Sequence, residues 1–205
     1  MIARRTLLLS AAALPLAASA RAQTLSEQDK ADIGRVETYL DGLRSLKARF
    51  IQVAHDGSVS EGTAWLERPG RMRFQYNPPS PFTLIANNGD LIFNDSSLQQ
   101  TSNVSLSRTP LGILLADKVD LNGTVAVTAV QRLPGQLQIT MVRAGSPGDG
   151  SLTLVFADPP LTLRQWTVVD SQRRETHVTL YNAKLGGTFD PRLFDHITVT
   201  DPKDG

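Results

Sequence analysis

Residues 65–82 read WLERPGRMRFQYNPPSPF and contain the pattern that decides the fold. Pro69 and Gly70 form a turn signal, and the six residues that follow alternate between apolar and polar side chains. Because successive side chains of a strand point to opposite faces, one face carries Met72, Phe74 and Tyr76. The other face carries Arg71, Arg73 and Gln75. The stretch therefore predicts an amphipathic hairpin, with one face available for a core or for an apolar groove.

The same period of two extends in both directions from this hairpin. It begins near Ala48, and turn signals such as Asp56–Gly57 and Asn88–Gly89 interrupt it at short intervals. About ten strands are predicted in all. They cover residues 60–67, 71–77, 82–87, 90–95, 98–105, 124–132, 136–143, 151–157, 161–170 and 173–182, with a last strand at 194–200.

Two segments break the strand pattern. Residues 25–46 place apolar side chains three and four positions apart, which is typical of one helix face: Ile33, Val36, Leu40, Leu43 and Leu46. Ser26 and Asp29 form a plausible amino-terminal cap for this helix. Residues 109–116 read TPLGILLA and predict a second, short helix or a buried loop.

Together these elements predict an α+β protein with an antiparallel meander. A sheet of this length cannot remain flat, so it should curl into an open or closed barrel whose concave side is filled by the helices. Because the composition shows no linker, residues 23–205 are expected to form a single domain.

Residues 1–22 are expected to form a cleaved secretory signal peptide. Arg4 and Arg5 precede an apolar run of about 12 residues, which is too short to span a bilayer, and Ala20–Arg21–Ala22 is a typical cleavage site. The first residues also resemble a twin-arginine signal, so the export route stays open between two pathways. Either route predicts a periplasmic location, and the lack of cysteine suits that oxidising compartment.

Composition excludes several functions. The mature chain would hold 18 basic and 20 acidic residues, which is not the charge of a nucleic-acid-binding protein. The sequence contains no nucleotide-binding loop, no nucleophile elbow and no pair of histidines at metal-binding spacing. We therefore predict no catalytic residue, no metal and no cofactor, and favour a binding protein over an enzyme. An enzyme would need paired carboxylates, or a histidine beside a carboxylate, facing the groove.

A series of short motifs runs through most of the chain after residue 22. It starts with the helix and Leu46-x-Ala48-x-Phe50-x-Gln52, and continues through Gly62 and Leu66-x-Arg68-Pro69. Its later parts are Pro79, Leu84–Ile85, Asn88–Gly89-x-Leu91, Asp95 with Gln99 or Gln100, Thr109–Pro110–Leu111, Asp190–Pro191-x-x-Phe194 and Val199-x-x-Asp201. In their order and spacing these motifs resemble the LolA family of outer-membrane lipoprotein carriers.

The resemblance implies an incomplete antiparallel barrel of about ten to eleven strands, with a helical lid over an apolar cavity. It implies a monomeric carrier that accepts triacylated lipoproteins from an ATP-driven transporter of the inner membrane and passes them to an outer-membrane receptor. Because the chain has no cysteine that could be acylated, it resembles the carrier and not the membrane-anchored receptor of the same fold. A sensor of lipids or lipoproteins, or a carrier of another amphiphile, remains the alternative.

The resemblance also assigns roles to individual residues. Arg68, the arginine of the Arg-Pro motif, is expected to bond to lid residues and hold the empty form closed. The residues expected to line the lipid-binding cavity are Met72, Phe74, Ile85, Leu111, Leu114 and Leu115. Arg71 and Arg73 depart from the family pattern and are expected to add charge beside the lip of the cavity.

Overall fold

The computed structural model describes residues 25–121 and 123–195. The predicted signal peptide, the last residues of the family resemblance and the predicted strand at 194–200, apart from Phe194 and Asp195, lie outside the described residues. Phe194 itself belongs to a 3-10 helix and not to a strand.

One helix, α1, precedes the sheet and a short one, α2, interrupts it. The elements are α1 (Glu27–Gly42), β1 (Ser45–Val53), β2 (Val59–Glu67), β3 (Arg71–Tyr76), β4 (Phe82–Asn87), β5 (Asp90–Asp95), β6 (Gln100–Ser105), a 3-10 helix (Leu106–Arg108), α2 (Leu111–Leu114), β7 (Val125–Leu133), β8 (Gln136–Arg143), a 3-10 helix (Pro147–Asp149), β9 (Gly150–Ala157), β10 (Thr162–Asp170), β11 (Glu175–Leu185) and a 3-10 helix (Pro191–Phe194).

The described strands form one antiparallel sheet of 11 strands in the order β6-β5-β4-β3-β2-β1-β11-β10-β9-β8-β7. The first six strands and the last five are each a meander, and pairing between β1 and β11 joins the two. The edge strands β6 and β7 do not pair with each other, so the predicted incomplete barrel is confirmed. Because β6 and β7 are consecutive in sequence, the segment between them must cross the open side of the sheet, and it carries α2.

Helix α1 begins as predicted and ends earlier than predicted. The Ser26 hydroxyl accepts a hydrogen bond from the Asp29 N–H at 3.1 Å, and the Asp29 carboxylate accepts from the Ser26 N–H at 2.8 Å, which completes a capping box. The prediction of helix to residue 46 was wrong, because α1 ends at Gly42 and Leu46 belongs to β1.

The sheet has an inner face that packs against the helices and an outer face that does not. Met72, Phe74 and Tyr76 lie on the inner face and share one apolar core with α1, α2 and the inner residues of β7 to β11. At the β4–β5 turn, Asn88 and Gly89 have φ of 51° and 84°, the left-handed values that a two-residue type I′ turn requires. The turn signals thus fix the register in which the inner face stays apolar.

The outer face of β3 and β4 is covered by the end of the described chain. Arg73 Nη1 donates to the Leu193 carbonyl oxygen at 3.1 Å, and Asn87 Nδ2 donates to the Phe194 carbonyl oxygen at 3.1 Å. The Arg71 guanidinium lies 5.5 Å from the centre of the Phe194 ring. The expectation that Arg71 and Arg73 lie beside the cavity lip is therefore wrong, because they hold this segment on the opposite face.

Candidate functional site: an apolar cavity beneath a short helix

An apolar cavity of about 230 Å³ opens between α2 and the inner face of the sheet. Its walls come from β1, β3, β4, β5, β10, β11 and α2. The lining residues are Gln52, Met72, Phe74, Tyr76, Leu84, Phe93, Leu111, Trp166, Val168, Thr176 and Val178. A concave, mainly apolar site with few polar groups is the usual form of a site for an apolar ligand.

Three of the six residues predicted to bind lipid line this cavity. Met72 and Phe74 project from β3, and Leu111 begins α2. The two strand residues are almost completely buried, whereas Leu111 is only half-buried. The alternation read from residues 71–76 is what places Met72 and Phe74 together.

The other three do not line it. Ile85 is paired with Arg73 and therefore lies on the outer face, where β4 packs against the 3-10 helix Pro191–Phe194. Leu114 ends α2 and Leu115 follows it, and both are buried in the core. These placements correct the expectation that Ile85, Leu114 and Leu115 face the cavity.

The six residues predicted to bind lipid include none from the wall formed by the second meander. Trp166 and Val168 of β10 and Val178 of β11 lie opposite β3 because β11 pairs with β1, with Val178 beside Gln52. The alternation in β10 and β11 marks these residues as inward-facing. The long-range pairing that brings them to the cavity has no local signal in the sequence.

Aromatic rings support the floor of the cavity. Phe74 packs against Phe50 with ring centres 4.5 Å apart, and against Trp166 at 5.9 Å. Phe82 and Phe93 are in contact nearer the surface, with ring centres 5.1 Å apart, and Phe93 is 37% exposed. The cavity therefore has an aromatic floor, stabilised by ring contacts, and an exposed ring at its rim.

Two polar side chains meet inside this wall. The Tyr76 hydroxyl donates to Gln52 Oε1 at 2.9 Å. Burial raises the pKa of Tyr76 to about 12, and the hydrogen bond to Gln52 opposes part of that rise. Tyr76 is therefore a neutral hydrogen-bond donor at physiological pH.

Arg68 connects the sheet to both helices. It follows β2, and its side chain reaches the carbonyl oxygens at the end of α1 and those that follow α2. Nε donates to Ala116 at 2.7 Å and Nη2 to Asp117 at 3.2 Å, while Nη1 donates to Leu40 and, at 3.5 Å, to Leu43. One guanidinium thus satisfies four backbone acceptors from two separate elements.

The charges and the helix dipole around Arg68 stabilise its buried positive charge. Burial lowers the pKa of Arg68, the Asp41 and Asp117 carboxylates oppose that shift, and Arg44 adds to it. The carbonyl end of α1 carries the negative end of the helix dipole. Because arginine stays protonated in proteins, the charge of Arg68 persists despite burial.

Helix α1 also holds the segment after α2 directly. Asp41 Oδ1 accepts from the Val119 N–H at 3.3 Å, and Glu37 Oε1 accepts from the Leu121 N–H at 2.8 Å. On the sheet side, the Gly70 N–H donates to the Leu115 carbonyl oxygen at 2.8 Å. We call α1, α2 and residues 115–121 the lid, because these bonds tie them into one layer over the inner face.

The start of α1 is fixed by a separate set of ion pairs. Arg132 on β7 contacts Asp29 at 2.8 Å and Asp32 at 2.7 Å. Arg35 contacts Asp32 at 2.8 Å and Asp158 at 2.6 Å. This end of α1 is thus fastened to β7 and to the β9–β10 turn, far in sequence from Arg68.

The cavity walls contain no carboxylate and no histidine among the described residues. His177 lies 3.5 Å from Glu175, but His177 pairs with Thr167 and Val53 on the outer face. Within residues 25–121 and 123–195 no three potential metal ligands cluster. No helix of the described chain has the length and apolar character needed to cross a membrane.

A curved antiparallel sheet that encloses an apolar cavity under a helical lid defines a class of proteins that shelter apolar ligands from water. Residues 41–196 match the family described as outer membrane lipoprotein carrier protein LolA, and the chain belongs to this family. The resemblance seen in the sequence is confirmed.

Individual relatives agree with this assignment. An outer-membrane lipoprotein carrier protein of Methylococcus capsulatus is 26% identical over 178 residues, which cover 82% of this chain and 85% of the relative. The protein of the same name in Azotobacter vinelandii is 27% identical over 210 residues, covering 93% and 92%. The crystal structure of a DUF1329 family protein from Desulfovibrio piger shares the fold, with a TM-score of 0.50 at 8% identity over 80% of this chain and 95% of that one.

Proposed function

We propose that this chain is a periplasmic carrier that binds the acyl chains of triacylated lipoproteins. It receives them from an ATP-driven transporter of the inner membrane and delivers them to an outer-membrane receptor. It acts as a monomer, without a cofactor and without catalysis. The observation that carries the proposal is the apolar cavity between the sheet and a lid fastened by one buried arginine.

The energetics of the cargo require such a carrier. A buried methylene group contributes about 0.8 kcal/mol, so three acyl chains exposed to water cost tens of kcal/mol. Free diffusion of the cargo between two membranes is therefore negligible. A cavity that shields the chains from water lowers that cost.

The cavity is too small for the cargo as it stands. At about 230 Å³ it falls below the roughly 300–1,000 Å³ of sites that hold a drug-sized ligand. Loading therefore requires the lid to move away from the inner face. Phe93 at the exposed rim and the half-buried Leu111 are the first apolar contacts for an entering chain, and the core beneath the lid supplies the rest.

The lid can move only if the hydrogen bonds of Arg68 break. Its guanidinium bonds to carbonyl oxygens at the end of α1 and after α2, so the lid cannot leave the sheet while these bonds last. These hydrogen bonds re-form when the lid closes, and their formation favours release of the cargo. Their strength therefore limits how tightly the cargo is held. The sequence has no nucleotide-binding loop, so the energy for loading comes from the partner.

The experiment is a release assay. Purified residues 23–205 are mixed with spheroplasts that retain labelled lipoproteins on the inner membrane, and soluble complex is measured in the supernatant. We expect ATP-dependent release in one-to-one stoichiometry. Phe93→Glu, which places a charge on the cavity rim, should abolish release, whereas Val59→Glu on the outer face, where the side chain is 64% exposed, should leave it unchanged.

Two outcomes contradict the proposal. Failure of release, in spheroplasts where a carrier of established activity does release lipoproteins, would favour a carrier or sensor of another amphiphile. Equal release by both glutamate variants would place the binding site outside the cavity. Transfer of the soluble complex to outer-membrane vesicles, with and without their receptor, tests the delivery step.

A further inference from the structure

The lining of the cavity is not uniformly apolar. Its polar side chains are Gln52, Tyr76 and Thr176, and they lie together at one end. Gln52 is near the end of β1 and pairs with Val178, two residues from Thr176 on the same face of β11. The opposite end, at Met72 and Leu111, is apolar.

A glycine makes the contact between Gln52 and Tyr76 possible. Gly62 of β2 lies between Phe50 and Tyr76 in the register of the sheet. A Cβ atom at Gly62 would lie 2.7 Å from the Phe50 ring and 2.1 Å from the Gln75 carbonyl oxygen. Because this position has no side chain, the rings of Phe50 and Tyr76 meet with centres 5.2 Å apart, and the Tyr76 hydroxyl reaches across β2 to β1.

In this contact Gln52 uses the oxygen of its amide group. Tyr76 donates to Oε1, so the oxygen is engaged and Nε2 is the free donor. Among the described residues, Nε2 makes no hydrogen bond and is not a fully buried atom, and Gln52 lines the cavity. The Thr176 hydroxyl, which also lines the cavity, is a second donor without a partner in the described chain.

The dimensions match a chain with a polar head. Met72 pairs with Leu66, which pairs with Leu46, and Gln52 lies six residues further along β1. Six residues of a strand span roughly 20 Å. The acyl chains of one leaflet span about 15 Å, half of the hydrocarbon thickness of a bilayer. Once the lid has moved, one acyl chain therefore covers most of the distance from the apolar end to the polar end.

We propose that Gln52 and Thr176 form a subsite for the carbonyl oxygen at the head of an acyl chain, as found in an ester or an amide, and that Tyr76 is a positioning residue that orients Gln52. The inference rests on the proposed function and adds to it the orientation of the bound acyl chains. The chains enter with their tails toward Met72 and Leu111, and their heads stay at the β1–β2 and β10–β11 turns. A carbonyl group is thereby distinguished from a plain hydrocarbon, which would leave the Gln52 amide without a partner.

The test compares two probes of equal chain length, the methyl ester of dibromostearic acid and dibromooctadecane. Bromine quenches tryptophan, and Trp166 lines the cavity. Because the sequence has two tryptophans, Trp65→Phe leaves Trp166 as the single reporter and serves as the parent protein. We expect the parent to bind the ester about two- to tenfold more tightly than the hydrocarbon, the range of one neutral hydrogen bond.

Gln52→Leu should remove this preference, because the affinity for the ester falls and the affinity for the hydrocarbon rises once the unpartnered amide is gone. Tyr76→Phe should reduce the preference without abolishing it, since Gln52 remains but is no longer oriented. The matched control is Gln138→Leu, the same substitution on the outer face, which should leave the preference unchanged. Thermal unfolding of each variant confirms that the fold is retained.

The outcomes separate the subsite from the cavity itself. An unchanged ester preference in Gln52→Leu, or an equal loss of both probes, would overturn the subsite while leaving an apolar cavity that binds chains. Absence of quenching by either probe in the parent would overturn the cavity as an acyl site, and with it both the proposed function and this inference.

Discussion

At the scale of single residues, Arg68 is the most informative position of the chain. It is 4% exposed and charged, an arrangement that is costly unless the charge is fully hydrogen-bonded. Its partners are carbonyl oxygens that the helices cannot satisfy internally, so the guanidinium and the helix ends stabilise each other. If the lid moved away, the guanidinium and the carbonyl oxygens would both lose their hydrogen-bond partners. Arg68 therefore acts as a clamp that holds the lid closed and can re-form its bonds when the lid returns.

Arg68→Leu should open the lid without unfolding the sheet. Loss of the bonds should make local opening easier by about 1–3 kcal/mol, which corresponds to roughly 5- to 150-fold faster hydrogen exchange. The amides affected should be those of the last turn of α1 and of residues 115–121. Exchange measured by mass spectrometry checks this, with the exposed Arg164→Leu as control. Uniform acceleration across all strands would show that Arg68 stabilises the whole fold instead.

A second residue, Asp29, links stability to pH. The backbone N–H and hydroxyl of Ser26, and then Arg132, hold the pKa of Asp29 below its ordinary value. Because the folded-state pKa is depressed, the stabilisation is complete above the unfolded pKa of about 4 and is lost as pH falls through the folded value. Urea unfolding should show that the wild type loses more stability than Asp29→Asn between neutral and acid pH. Parallel curves for the two proteins would contradict this assignment.

At the scale of elements, α2 divides its residues between two roles. Leu111 faces the cavity, whereas Leu114 is completely buried in the core. The connection from β6 to β7 has to cross the open side of the sheet, so this short helix both seals the core and roofs the cavity. Neighbouring leucines of similar appearance in the sequence therefore have different functions.

Alanine substitutions should separate these roles. Leu114→Ala should lower the free energy of unfolding by about 2–5 kcal/mol, because a buried leucine leaves a cavity behind. Leu111→Ala should cost about 1 kcal/mol and weaken the binding of an acyl probe. Urea unfolding and quenching of Trp166 by a brominated chain measure the two effects. Weaker probe binding in a stable Leu114→Ala protein would show that the cavity reaches further beneath α2 than the geometry indicates.

At the scale of the whole molecule, the strands could be predicted because pairs of turn-forming residues lie at their ends. Asn88–Gly89, Pro134–Gly135 and similar pairs separate the strands, and the bounds of β4, β5 and β8 agree with the prediction. The end of α1 could not be located, since Leu43 and Leu46 fit a helical spacing while Leu46 also begins the alternation of β1. Nothing local in the sequence marks the true boundary.

The candidate site was predictable only in part, for two physical reasons. Strand β4 reads FTLIAN and has apolar residues on both faces, so alternation does not decide which way Ile85 points. Its outer face is buried by a segment more than a hundred residues away in sequence. The second wall depends on the pairing of β1 with β11, which is equally distant.

The central claim is that acyl chains occupy the space between the lid and the inner face. The most direct measurement is photo-crosslinking with a triacylated lipopeptide that carries a diazirine within one acyl chain, followed by mass spectrometry of the labelled peptides. The account predicts labels on β3, α2 and β10, at or beside Met72, Leu111 and Trp166, in a one-to-one complex. Labels confined to the outer face, or an equal yield with Phe93→Glu, would contradict it.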